Sequence, residues 1–255
     1  MNFGRAPCII SRTFRLLGNA QLVSGSTWGR FPSTSVIMAR RTGKIRGYSD
    51  FCRERNRLRV LLDMDMVLAD FEEHFLTKYR ETYPDAPYVK AEDRDGFWLR
   101  DQYEKISPNL KDKVQSIYEA EFFFRDLPEI PGAIEAAQEI NKMEDVDVFI
   151  CTSPLVQYKY CVKEKFEWVE QHLGMEWVEK LIITRDKTMV QGHVLIDDKP
   201  KIKGKVICCL SIPSWKHVVF TACHNRRTNI HGRRRLDNWT DGSWRNLLED
   251  IRKHI

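Results

Sequence analysis

Apolar residues in this chain fall in short runs separated by stretches of helical periodicity. Runs at Leu58–Leu62, Val146–Ile150, Leu181–Ile183, Val194–Ile196, Val206–Leu210 and Val218–Thr221 predict strands. Pro131-Gly132 opens a predicted helix that continues to about Lys142 and turns Ala133, Ala136, Ala137 and Ile140 inward. A second predicted helix runs from about Lys163 to Leu173, where Gly174 supplies a stop. Trp239 and Trp244 anchor a last one that ends near Lys253. Strands alternating with helices predict an α/β fold: a Rossmann-like parallel sheet with helices on both faces.

Between about Glu72 and Pro128 the alternation lapses into mainly helical pattern rich in aromatics, among them Phe75, Tyr79, Phe97, Trp98, Tyr103 and Phe122 to Phe124. Placed after the first strand, this stretch predicts a small helical cap at 73–127, with 57–72 and 128–255 forming the core. Most of its rings are expected to be the cap's own core, since aromatic stripes are more often packing than ligand contact.

Charge divides the chain. The formal net charge is +5, yet residues 1–49 carry eight Lys or Arg and no acid. The remainder holds 33 bases against all 36 acids, which argues against a groove for a nucleic acid. The stretch from Met1 to about Arg46 is Arg-, Ser- and Thr-rich, with Phe14, Leu16, Leu17 and Leu22 able to share one helical face. It reads as a mitochondrial transit peptide, so residues 1–46 are set apart from the fold and the matrix is the expected location. No apolar run approaches the ~20 residues of a membrane span. The seven cysteines show no C-x-x-C spacing and read as buried reduced thiols.

The first strand ends in Leu61-Leu62-Asp63-Met64-Asp65, two carboxylates spaced i, i+2. Another run, Val194-Leu195-Ile196, ends in Asp197-Asp198. Both would lie at the carboxyl rim of a parallel sheet, where open α/β folds keep their sites. Carboxylates held so close call for a cation, a shared proton or phosphate chemistry, and a metal site is the simplest account. Three other groups are weak alone. Thr152-Ser153-Pro154 reads as a cap or turn, Lys165 as a solvated helix lysine, and Arg185-Asp186-Lys187 as a surface turn. In order along the chain they become specific: a carboxylate nucleophile, an acid/base carboxylate, phosphate donors, a balancing cation and metal-binding acids, the groups phosphoryl transfer requires.

That order resembles the haloacid-dehalogenase superfamily of phosphohydrolases. Asp70-Phe71-Glu72, Arg94 to Trp98, Phe122 to Phe124, Asp147 to Pro154, Thr184 to Thr188, Ile196 to Asp198 and Phe220 to Asn225 look like the 5′(3′)-deoxyribonucleotidases, the mitochondrial form being the nearer likeness. The resemblance runs from about Arg57 to the C-terminus. It implies that Asp63 attacks the phosphorus of a deoxyribonucleoside monophosphate, and that Asp65 serves as acid and then base. Magnesium would be held by Asp63, the Asp65 carbonyl and Asp198. Thr152 and Ser153 would bind phosphate, and Lys165 would balance charge with Asp197 orienting it. Phe71, Phe97, Trp98, Leu99, Tyr118 and Lys187 would line the nucleotide pocket, and the chain would be a homodimer. An apolar wall against the sugar would leave a ribose 2′-hydroxyl unpartnered at roughly 1–3 kcal/mol. Met66 stands where the family has glycine, and a positive φ there would cost methionine roughly 1–2 kcal/mol. Tyr118, Lys199 and Leu99 stand for tryptophan, arginine and valine.

Overall fold

Among the described residues, six strands form one parallel sheet: β1 (Leu58–Leu62), β2 (Val146–Thr152), β3 (Leu181–Ile183), β4 (Val194–Asp197), β5 (Lys216–Phe220) and β6 (Arg234–Leu236), in the order β3-β2-β1-β4-β5-β6. The chain is described here from a computed structural model that covers residues 57–204 and 213–254. The expected transit segment and the predicted strand Val206–Leu210 lie outside those residues. Seven α-helices are described: α1 (Phe71–Thr82), α2 (Leu99–Ile106), α3 (Leu110–Tyr118), α4 (Ala133–Lys142), α5 (Cys161–Leu173), α6 (Met175–Val178) and α7 (Ser243–Arg252). Among the described residues no helix is long and apolar enough to cross a membrane.

The central strands read as unbroken apolar runs because both faces are covered. In β1, Leu58, Val60 and Leu62 point into the main core, which also holds Ala137 and Ile140 of α4, Trp168 of α5 and Leu248 of α7. Leu61 faces the other way and meets Cys151, Leu195 and Trp215, with Val190 and Ile202 beside them. Helices α1 to α3 add Phe75, Tyr79, Tyr103, Leu110 and Val114 to the main core. Phe75, Tyr79 and Tyr103 are therefore packing, as part of the main core rather than of a separate one.

Local chemistry sets the ends of these elements. The Asp70 side chain accepts the N–H of Glu73 and caps α1, with Glu72 and Glu73 in the positive first turn. Gly132 precedes α4 at φ +77°, and a Cβ there would lie 2.9 Å from Thr240 Cγ2, so both backbone and space demand glycine. Gly174, at φ +95°, ends α5 as its position predicts.

The basic run Arg233-Arg234-Arg235 is built into the sheet, since Arg234 to Leu236 form the edge strand β6. Its side chains hold the neighbouring loop: Arg235 donates to Thr221 Oγ1 (3.1 Å), Asn225 Oδ1 (3.0 Å) and the Thr228 carbonyl (3.2 Å). An edge strand needs apolar contact on few of its positions, so its pattern carries little signal.

Candidate active site

Strand register gathers the acids. Leu62 pairs with Ile150 on one side and Ile196 on the other, and the Asp63 N–H donates to the Ile196 carbonyl at 2.9 Å. Asp63, Thr152 and Asp197 therefore arrive at the same carboxyl rim. Past β1 the chain turns sharply: the N–H groups of Leu68 and Ala69 both donate to the Met64 carbonyl (2.8 and 2.9 Å), and Met66 sits at φ +61°. The turn sends Asp63 and Asp65 to different partners.

Asp63 is buried, and its Oδ1 lies 2.7 Å from Lys187 Nζ. The same ammonium reaches Asp197 Oδ2 at 2.6 Å. Burial raises the Asp63 pKa to about 7, against the pull of Lys187 and with the help of Asp197 and Asp65. Burial likewise lifts the Asp197 and Asp198 carboxyls above the ordinary range. Burial alone would push the Lys187 ammonium down, but the charges of Asp197 and Asp63 outweigh it and hold it above its usual value. One oxygen each of Asp63, Asp197 and Asp198 lies within 4.8 Å of the others. Lys187 meets two of these three buried carboxylates, and such hard oxygen donors suit a divalent cation that would restore the ionised state.

Asp65 belongs to a second cluster. Lys165 Nζ, fully buried on α5, donates to Asp65 Oδ1 and Oδ2 at 2.6 and 2.7 Å and to Thr152 Oγ1 at 3.0 Å. Lys165 Nζ also lies 4.9 Å from the centre of the Phe124 ring. Because Lys165 occupies the acceptor side of Thr152, the hydroxyl proton is free to point at an anion. Ser153, the next residue, is exposed at the rim.

The expected pairing of Lys165 with Asp197 is therefore not found: Lys187 meets Asp197, and Lys165 meets Asp65. Lys187 is neither a surface turn nor a residue of the pocket wall alone, since it stands between two of the acids. Neither arrangement is legible locally, because each lysine is buried by partners from distant segments. Sequence reasoning also missed Glu164. That buried carboxylate accepts the N–H groups of Phe122 (2.6 Å) and Phe124 (3.0 Å) and so fastens the loop after α3 to α5.

The expected nucleotide residues divide by exposure. Trp98 is 62 % exposed, and Phe97 meets it edge-on at 5.0 Å. Lys199 lies over both rings, 4.6 Å from Phe97 and 4.9 Å from Trp98. Phe71 packs on Tyr118 (6.2 Å) and Phe123 (5.2 Å). Leu99 is buried in the core and borders a small cavity lined with Glu72, Phe75, Arg94 and Tyr103.

A parallel sheet that delivers four aspartates and two buried lysines to one rim defines an α/β protein, and its relatives place it among the nucleotide phosphatases. Residues 56–248 match the family described as 5′ nucleotidase, deoxy (pyrimidine), cytosolic type C protein. The chain is 52 % identical to the human cytosolic 5′(3′)-deoxyribonucleotidase over 196 residues, 76 % of this chain and 95 % of that protein. It is 48 % identical to the human mitochondrial 5′(3′)-deoxyribonucleotidase, over 76 % of this chain and 84 % of the relative. The solved HAD-family hydrolase of Deinococcus radiodurans R1, with bound phosphate and sodium, is similar at a TM-score of 0.49 and 13 % identity, covering 76 % of this chain and 95 % of that one. The chain belongs to the 5′(3′)-deoxyribonucleotidase family. Its likeness to the mitochondrial form is no nearer than to the cytosolic one.

Proposed function

We propose that the chain hydrolyses the 5′- or 3′-phosphate of deoxyribonucleoside monophosphates, such as those of deoxyuridine and deoxythymidine, through a phosphoryl group carried on Asp63. The observation that carries this reading is the buried Asp63 carboxylate, 2.7 Å from Lys187 at a rim shared with Asp197 and Asp198. A magnesium ion held by Asp63, Asp198 and the Asp65 carbonyl would neutralise charge on the nucleophile and the phosphate oxygens. The Asp63 and Asp198 carboxylates, two of the three whose oxygens lie within 4.8 Å of one another, fit such an ion.

The chain's own residues divide the remaining work. Asp63 attacks phosphorus and forms an aspartyl phosphate as the P–O bond to the sugar breaks. Asp65 protonates the departing sugar oxygen, giving up one of its two bonds from Lys165 to reach it. The deprotonated Asp65 then takes a proton from the water that hydrolyses the acyl phosphate. Thr152 and Ser153 donate to phosphate oxygens, while Lys187 spreads negative charge and Lys165 keeps Asp65 in place. The rings of Phe97, Trp98 and Tyr118, with Leu99, form the wall against base and sugar within a cap at 73–127, and Phe71 joins them from the core segment. An unpartnered 2′-hydroxyl against that wall supports the deoxy preference.

The basic, acid-free residues 1–46 support delivery to the mitochondrial matrix, and a homodimer rests on the family likeness. A second reading, a weakened nucleotide binder, is favoured by the positive φ of Met66. Against it, Asp65 keeps both contacts to Lys165 with methionine in place. A panel of ribo- and deoxy-monophosphates, assayed for phosphate release with and without Mg2+, tests the proposal. Mg2+-dependent turnover with deoxy substrates preferred supports it, while saturable binding without turnover supports the weakened binder.

A further inference from the structure

His224 lies between the acid cluster and the segment that carries Phe97 and Trp98. It is 3 % exposed, in the short 3-10 turn Cys223–Asn225 after β5. Its Nε2 approaches Asp198 Oδ2 to 3.1 Å, within contact though not in line for an ideal hydrogen bond. Its Nδ1 lies 3.9 Å from Glu72 Oε1 and has no hydrogen-bond partner among the described residues. The next residue, Asn225, donates to the Asp198 carbonyl at 2.6 Å and to the Phe220 carbonyl at 2.8 Å. The turn thus meets Asp198 through both its side chain and its backbone.

The opposite side of His224 faces the cap. Its carbonyl accepts the Gly96 N–H at 3.1 Å, and the Phe97 ring stands edge-on to the imidazole with centres 5.5 Å apart. Arg94, two residues before Gly96, is locked on Glu72 by Nε at 3.0 Å and Nη2 at 2.7 Å. Glu72, Cys223 and His224 also lie close enough to bind an ion, but Arg94 already occupies Glu72, so that group is not a second metal site. A second tie runs in parallel: the Lys199 N–H donates to Asp197 Oδ1 at 2.8 Å, while its ammonium lies over Phe97 and Trp98.

We propose that His224 is a positioning residue that holds the Asp198 carboxylate for a divalent cation and couples cation binding to the seating of the Gly96-Phe97-Trp98 segment. The inference rests on the reading of Asp63, Asp197 and Asp198 as a cation site. Groups that contact ligating carboxylates orient them, and losing one typically costs 10–100-fold in metal affinity. Because the same imidazole packs on Phe97, a cation that fixes Asp198 also fixes the wall against which a base would lie. Cation and nucleotide should therefore strengthen each other reciprocally.

The test uses the full chain as wild type, His224→Ala, His224→Gln and His224→Asn, with Mg2+ alone as probe. Calorimetric titration is expected to show Mg2+ binding weakened about 10–100-fold by His224→Ala and less by His224→Gln, whose amide reaches as far as Nε2. Saturating Mg2+ should slow hydrogen exchange across residues 94–98 in wild type and leave it unchanged in His224→Ala. Should the alanine variant fail to fold, Gln against Asn carries the comparison, since the shorter amide does not reach Asp198. Equal Mg2+ affinity and equal protection in wild type and variants overturn the role of His224 alone. A wild type that does not bind Mg2+ removes the cation site, and this inference with it.

Discussion

Met66 concentrates the residue-scale argument. At φ +61° a methionine costs about 1–2 kcal/mol over glycine. The side chain is nevertheless buried against Ala222 and Cys223, with Phe71 and Ala91 beside it, and its sulfur accepts the Glu72 N–H at 3.3 Å. Strain and packing oppose each other, and two substitutions separate them. Met66→Ala keeps the strained backbone and loses the packing, a loss of about 2–4 kcal/mol. Met66→Gly loses the same packing but relieves the strain, so it should be about 1 kcal/mol more stable than Met66→Ala. Urea midpoints decide this, and an alanine variant as stable as the glycine variant would mean the turn carries no strain. Asp63, Asp65, Asp197 and Asp198 were legible at this scale because each pair closes an apolar run. Lys165 and Lys187 looked like solvated lysines. A buried charge is recognisable only with its partners, and Lys165 meets Asp65 from 100 positions away.

At the scale of elements, the inner strands β1, β2, β4 and β5 were legible because burial on both faces leaves an apolar run, and edge strand β3 was legible because all three of its residues are apolar. Helices α4 and α5 followed from periodicity and from the glycines beside them. Edge strand β6 did not, since Arg234 and Arg235 spend their side chains on neighbouring loops rather than on the core. The link between α5 and the loop after α3 was also invisible, because it passes through the single carboxylate of Glu164. Phe122, at φ +71°, and Phe124 both depend on that carboxylate for their N–H groups. Glu164→Ala leaves the two donors without it and should lower stability by about 1–3 kcal/mol. It should also lower kcat more than it raises KM, because the Phe124 ring lies 4.9 Å from Lys165 Nζ. Denaturation and steady-state kinetics check both effects, and unchanged kcat would detach the loop from Lys165.

For the whole molecule, pH dependence of stability follows in part from a half-buried histidine on the strand beside β4. His217, on β5, has its pKa lowered to about 4 by burial first and then by Arg233, whose Nη1 lies 3.0 Å from Nδ1. The unfolded chain protonates near the ordinary value of 6.5 while the folded chain does not. Its contribution is thus present above about pH 6.5 and is lost as pH falls towards 4, by up to ~3 kcal/mol. His217→Gln should flatten this part of the melting-temperature profile, and an unchanged slope would mean another group titrates there. Charge also separates the chain's regions: the positive excess lies in residues 1–49, and the remainder is slightly acidic.

The central claim is that Asp63 accepts the phosphoryl group, and trapping it is the most direct measurement. Wild type and Asp63→Asn are mixed with deoxyuridine monophosphate and Mg2+, quenched in acid, and digested for mass spectrometry. Wild type should show one phosphoryl group on the peptide that contains Asp63, and Asp63→Asn should show neither adduct nor turnover while keeping its fold. Phosphate release by the asparagine variant at the wild-type rate, or a phosphoryl group on a different residue, would contradict the account.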